Sequence, residues 1–373
     1  MAPSSPADPA AVASPQSAPA AFWSLSSAKK QKKLSLIAVL LLLVAGGLFA
    51  WNWKEITGAH TGSRMGHQMA SVIAFELEGS LVPQEEIRSG GVPKDGIPAI
   101  TRPQFLAAEQ AGFLQPSDRV IGVEVDGSFR AYPLRILNFH EIVNDQLGEK
   151  AIAVTYCPLC DSAAVFDRGT AAGSREFGVS GLLYNSNVLM YDRETDSLWS
   201  QMMSTGVTGK EKQQPLRNLP LELTTWADWQ ARHPDTEVLS TETGFPRDYS
   251  RSPYEQYFAS PRLMFPAQPE DRRLPAKSPV LGLWTDSTAL AVPLSQFAQT
   301  KEPREISVQL GKATARLLYQ PASHSLRVVE AEEGVRWVYS FWFAWYAFHP
   351  GTELHQAQPA ATGNQASESS SAD

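Results

Sequence analysis

TYCPLCDSAAVFDR, residues 155–168, is followed after a Gly/Ala/Ser-rich break by FGVSGLLYNSNVLMYDRETDSLWSQ, residues 177–201. Both cysteines of the chain, Cys157 and Cys160, fall in the first segment, and a dense polar set follows in the second. The compact apolar run AIAVTY, residues 151–156, reads as a buried strand that delivers the cysteines to its end, where a rigid element fixes the direction of the following loop. DRETDS reads as a tight hairpin turn between the strands VLMY and LWSQ, because Asp, Thr and Ser side chains bond their own backbone. Asn185, Ser186 and Asn187 stand together before an apolar strand, and turn chemistry in DRETDS does not account for them; they are read as groups supporting the site or meeting a substrate.

Working upstream, VIGVEVDGSFRAYPLRILNFHEIVND, residues 120–145, predicts a β-hairpin with Asp126-Gly127 at its turn, then a short helix or loop over residues 134–140. TRPQFLAAEQAGFL, residues 101–114, predicts a short helix capped by Thr101, and SVIAFELEG, residues 71–79, a first strand. Downstream, TTWADWQARHPDTEVLS predicts a short amphipathic helix ending near Pro234 and then a strand. Residues 244–279, rich in proline and aromatics, read as an ordered excursion packed on the core. Two internal echoes stand out. Val120, Gly122, Ala131, Pro133 and Leu134 recur at the same spacing as Val280, Gly282, Ala291, Pro293 and Leu294, and Trp226, Trp229 and His233 recur as Trp342, Trp345 and His349. Either a β-rich unit is duplicated or a turn and helix-end motif is used twice. The absence of a second cysteine stretch favours the latter.

At 373 residues with 43% hydrophobic and 10% aromatic residues the chain can build a real core, and a net charge of -7 argues against a nucleic-acid partner. No nucleotide-binding glycine loop is present, so no nucleotide cofactor is expected, and neither a Gly-x-Ser-x-Gly elbow nor an HExxH pair occurs. Residues 1–28 read as a disordered cytoplasmic tail. Residues 29–53 read as a basic flank and a transmembrane anchor: four lysines precede LSLIAVLLLLVAGGLFAWNW, residues 34–53, which carries no charge and as a helix would rise roughly 30 Å through the lipid bilayer. Its length favours an anchor over a cleaved leader. Residues 54–70 form a linker, 71–353 an extracytoplasmic β-rich domain and 354–373 a disordered tail. The expected fold is α+β: one large mixed or antiparallel sheet domain with short helices, preceded by the single transmembrane helix.

Three readings of the Cys-x-x-Cys pair stay open. It suits a soft metal, copper or zinc, with His140 as third ligand and Glu141 orienting its ring; Met190, Met202 and Met203 are better read as core than as thioether ligands. It suits thiol–disulfide exchange in the envelope, with Cys160 resolving an intermediate on Cys157, and the same three residues would also serve Cys157 as nucleophile with His140 as base. It also suits a structural disulfide in a binding or scaffold module. The metal reading is the first of these. His233 and His349, each before a proline, are read as packed helix-end residues.

HEIVND, TYCPLCDSAAVFDR, the segment at 177–201 and TWADWQARHP together resemble the bacterial family catalogued as domain of unknown function 3179, over about residues 119–257. The closing SFWFAWYAFHP is similar to a segment of its members. The resemblance implies no activity. It implies where the site is: His140, Glu141, Cys157, Cys160, Asn185, Asn187, Asp192, Trp199 and Gln201 match its motif. The expected location is the inner membrane, single-pass, with the N-terminus in the cytoplasm and the main domain outside it.

Overall fold

The computed structural model describes residues 74–171 and 173–356. The anchor expected at 34–53, the linker and both tails lie outside these residues, and among the described residues no helix is long and apolar enough to cross a membrane.

After short N-terminal elements comes the hairpin β1 (Arg119–Val125) and β2 (Ser128–Pro133), closed by Asp126-Gly127 with φ 50° and 77°, the pair of positive values that a two-residue turn of this hand needs. Helix α1 (Leu134–His140) follows, then an antiparallel meander of β3 (Ile142–Leu147), β4 (Lys150–Cys157) and β5 (Ser162–Asp167). The chain then forms a separate sheet around β6 (Phe177–Tyr184), β7 (Asn187–Asp192) and β8 (Leu198–Ser200). It returns through β9 (Glu222–Thr225), which pairs with β1, into α2 (Trp226–Arg232) and β10 (Glu237–Leu239), which lies parallel to β2. Thr225 caps α2, its hydroxyl accepting from the Asp228 N–H.

After an excursion that contains α3 (Glu255–Ala259), the same series repeats. The hairpin β11 (Pro279–Trp284) and β12 (Ala289–Pro293) runs into a 3-10 turn at Leu294–Phe297. A second meander follows, β13 (Arg304–Leu310), β14 (Ala313–Gln320) and β15 (Ser325–Ala331). Then come β16 (Arg336–Phe341), paired with β11, α4 (Trp342–Phe348), and β17 (Glu353–Leu354), parallel to β12.

The correspondence reaches single residues. A Cβ on Gly122 would stand 2.3 Å from the Trp229 ring, and one on Gly282 would stand 2.3 Å from Trp345. Each indole donates to a threonine seven residues on, Thr236 at 2.9 Å and Thr352 at 3.0 Å. His233 and His349 pack on those rings, with centroids 4.2 and 3.9 Å away. The echoes therefore record a duplicated unit, and the expectation of a motif merely used twice is corrected. The two copies also exchange contacts: β16 of the second pairs with β5 of the first at Tyr339 and Ala163, and Thr224 on β9 of the first donates to Ser325 on β15 of the second.

Other expectations change as well. The described strands form five sheets, the largest of eight strands, where one large sheet was expected. Residues 101–114 hold a strand, Phe105–Ala107, and a 3-10 turn, Ala108–Gln110; pairing of Phe105–Ala107 with β10 outweighs the weak helical pattern. Residues 74–79 form no strand. Phe75 and Leu77 instead pack as an irregular segment against Leu182, Leu189 and Tyr191.

Candidate thiol site

Strand β4 ends in the turn that carries both cysteines, and β5 leaves it with Cys157 opposite Ser162. The Cys160 N–H donates to the Cys157 carbonyl at 3.2 Å, and Asp161 takes φ 47° to let the chain reverse. The turn is held on every side. Phe341 N–H donates to the Cys160 carbonyl at 2.7 Å and Tyr257 OH to the Leu159 carbonyl at 2.7 Å. Both cysteines are free and buried, at 1% and 0% exposure, in an apolar cluster with Met190, Met202, Trp199 and Trp342.

Above the turn stands the β6–β7 hairpin. Asn185 and Ser186 form its two-residue turn, at φ 49° and 63°. Ser is a poor occupant of the left-handed region, so this turn is held by its surroundings. The Ser186 hydroxyl donates to the Phe265 carbonyl at 2.7 Å, and the Asn185 side-chain oxygen accepts from the Gln268 N–H at 2.9 Å. The consequence is the placement of one carbonyl: Ser186 O lies 3.3 Å from Cys160 Sγ and 3.8 Å from Cys157 Sγ.

Beneath the turn Asn187, Gln201 and Ser162 form a buried strut. Asn187 Nδ2 donates to Ser162 Oγ at 2.9 Å and to Gln201 Oε1 at 3.0 Å. Ser162 Oγ donates to Gln201 Oε1 at 2.6 Å, and Gln201 Nε2 donates to Thr155 Oγ1 at 2.9 Å. The network ties the cysteine strand to the second sheet and fixes the sulfurs by rigid partners. Asn187 Oδ1 is buried with no hydrogen-bond partner among the described residues. Asp192 and Trp199 lie further along the same sheet, where Asp192 accepts from Trp199 Nε1 at 2.8 Å and from the Thr195 N–H at 2.7 Å, stitching the turn after β7. That agrees with the hairpin reading of DRETDS.

The two residues after α1 part company. His140 Nδ1 lies 2.7 Å from the Pro98 carbonyl and Nε2 lies 2.6 Å from Tyr249 OH, so both ring nitrogens are engaged. Burial pushes its pKa down to about 4, with the Pro98 carbonyl opposing and Arg247 adding to the shift. Glu141, in place of His140, is the residue beside Cys157. It takes φ 57°, unusual for a long side chain, is 7% exposed, and makes no side-chain hydrogen bond among the described residues. Burial, and then the neighbouring Cys157, hold its carboxyl well above the usual range.

The thiols are inequivalent. Burial pushes Cys157 up, but hydrogen bonds from the Cys160 thiol and from the N–H groups of Val188, Cys160 and Leu159 outweigh it and lower its pKa. Burial and the charge on Cys157 hold Cys160 well above the usual thiol range. The two thiols are thus shifted in opposite directions, Cys157 down and Cys160 up. Among the described residues no three His, Cys, Asp or Glu side chains converge as a metal site.

The excursion between the two copies covers the sulfurs. Tyr257 and Ala267 are buried in the cysteine cluster, and Tyr254, Phe258 and Phe265 pack against it. Lys277 anchors this strap. Its ammonium donates to the Tyr257 and Ser260 carbonyls and lies 3.2 Å from the centre of the Tyr257 ring. The sequence reads residues 244–279 as an excursion packed on the core, and the structure places that excursion over the cysteine turn. The aromatic density of those residues was the only signal of this cover.

The family model described as "Protein of unknown function (DUF3179)" matches residues 94–352, and the chain belongs to that family. The match extends on both sides of the segment quoted from the sequence and takes in both copies of the repeat. No curated protein and no solved structure matches.

Proposed function

We propose that this family member is a membrane-anchored extracytoplasmic thiol–disulfide protein in which Cys157 and Cys160 cycle between dithiol and disulfide. What supports the reading is the asymmetry of a converging pair: both sulfurs meet Ser186 O from one buried turn, with Cys157 shifted down and Cys160 shifted up. In the reaction the Cys157 thiolate attacks one sulfur of a partner's disulfide, the partner's S–S bond breaks, and the expelled thiolate takes the proton held by Glu141 beside it. Cys160 then gives up its proton and attacks Cys157 Sγ, the mixed disulfide breaks, and the second partner thiolate leaves with that proton. Two electrons pass to the partner, which ends as two thiols, and the protein ends as the Cys157–Cys160 disulfide. Because the sulfurs are enclosed, the strap carrying Tyr257 opens before each exchange.

The test is a glutathione redox titration of the full-length chain with alkylation of the free thiols. A reversible two-electron transition, abolished by Cys157→Ser and reached faster in Tyr257→Phe, is the expected result. A pair that ordinary thiol reductants fail to open sinks the proposal. A second reading, copper or zinc held by the two sulfurs, draws on their convergence toward Ser186 O and on Met190 and Met202 in the same cluster. Stoichiometric metal in the purified chain, lost in Cys157→Ser, would favour it.

A further inference from the structure

The duplication has a counterpart for the cysteine turn itself. Tyr156, Pro158, Asp161, Ser162 and Val165 of the first copy correspond in spacing to Tyr319, Pro321, His324, Ser325 and Val328 of the second. The strand registers agree, Tyr156 opposite Ala163 and Tyr319 opposite Leu326. Asp161 and His324 take φ 47° and 46°, and each meets the hydroxyl of its own tyrosine, Tyr156 OH at 2.7 Å and Tyr319 OH at 3.1 Å. Both turns face one cavity of about 250 Å³, lined in corresponding pairs: Asp161 with His324, Thr224 with Ser340, Leu223 with Tyr339. The cavity therefore lies where the two copies meet, and the cysteine side chains do not line it.

Its chemistry is set where the copies differ. Arg119 stands where the second copy has Pro279, and both line the cavity. Arg119 Nη1 donates to Asp161 Oδ1 at 2.9 Å, and this same oxygen accepts from Tyr156, so the carboxylate is doubly compensated. The Arg119 side chain makes no other hydrogen bond among the described residues and is 43% exposed. Tyr319 OH engages Nδ1, and the Nε2 of the exposed His324 has no hydrogen-bond partner among the described residues. Leu223, 7% exposed, Val280, 1% exposed, and Leu294 form an apolar wall beside the hydroxyls of Thr224, Ser323 and Ser340.

We propose that this cavity binds a short-chain monocarboxylate, its carboxylate on the Arg119 guanidinium and His324 Nε2 and its alkyl body on Leu223, Val280 and Leu294. The remaining guanidinium N–H groups of Arg119 and His324 Nε2, beside an apolar wall, suit a small amphipathic acid, and the volume limits it to a few carbons. The site does not depend on the thiol chemistry. The test is calorimetric titration of the full-length chain with pentanoate, with pentan-1-ol as the uncharged analogue. Pentanoate is expected to bind in the millimolar range and pentan-1-ol not at all. Arg119→Gln and the exposed His324→Ala each weaken pentanoate by about tenfold, the scale of one charge-assisted hydrogen bond. No binding to the unmodified chain, equal binding of the alcohol, or unchanged affinity in either variant overturns the proposal.

Discussion

The two copies of the repeat share a hairpin, a meander and a tryptophan that closes on a glycine, yet the turn after the fourth strand reads Cys-Pro-Leu-Cys-Asp in one and Gln-Pro-Ala-Ser-His in the other. The turns have matching backbone, down to the left-handed residue at Asp161 and His324. What separates them is the surroundings. Only the first copy carries the extra strands β6–β8, whose hairpin turn brings Ser186 over the sulfurs and whose Asn187 and Gln201 brace them from below. A turn of this shape is thus a general product of the repeat, and what sets the cysteine turn apart is the cover built over one of two such turns.

The comparison is broken most forcibly at its hinge of equivalence. Gly122→Ala and Gly282→Ala each drive a methyl into an indole fixed at its far end by a threonine, and each should lower the unfolding free energy by about 3 kcal/mol, the upper range for overpacking. Urea denaturation that finds one of them neutral would show that the copies are not energetically alike. A smaller effect is expected in acid. His140 in the first copy and His349 in the second are both pushed down to about 4, chiefly by burial. The unfolded chain takes up these protons below about pH 6.5 and the folded chain only near 4. Stability is therefore full above pH 6.5 and falls through that window, by about 2–3 kcal/mol for His140, and a flat stability profile between those limits would contradict the burial. The smallest effect sharpens the contrast most: Gln320→Cys with Ser323→Cys builds a second Cys-x-x-Cys in the uncovered turn. Stability should change by less than about 0.5 kcal/mol, and the new thiols should titrate near the ordinary value of about 8.5. A lowered thiol pKa there, followed by the ultraviolet absorbance of the thiolate, would mean that the turn alone activates sulfur.

Much of this was legible in the chain. Asp126-Gly127 marked its hairpin, AIAVTY its strand, DRETDS its turn, and Trp226 to Pro234 its helix, because each rests on local chemistry. Asn185-Ser186 was not read as a turn, since serine rarely enters the left-handed region without tertiary support. Thr101 looked like a cap because the strand partner of Phe105–Ala107 lies more than a hundred residues away. His140 and Glu141 could not be told apart by position alone. The positive φ at Glu141 lets the two side chains diverge, the carboxyl within electrostatic range of Cys157 while the imidazole meets Pro98 and Tyr249. The duplication was visible at Gly122 and Gly282, but Tyr156 and Tyr319, the match that extends it to the cysteine turn, was hidden by the loss of both cysteines in the second copy.

The pairing of each glycine with a distant tryptophan also sets a timetable. During synthesis the β1–β2 hairpin emerges with Gly122, but Trp229, which closes over it, comes only after the whole meander and the strands β6–β8 have been made. At roughly 5–20 residues per second this interval lasts on the order of ten seconds, and the cysteine pair is already outside the ribosome. The second copy waits about half as long between Gly282 and Trp345. The half that carries the thiols is the slower to close, so the newborn chain leaves its apolar faces open longest before residue 229 has appeared.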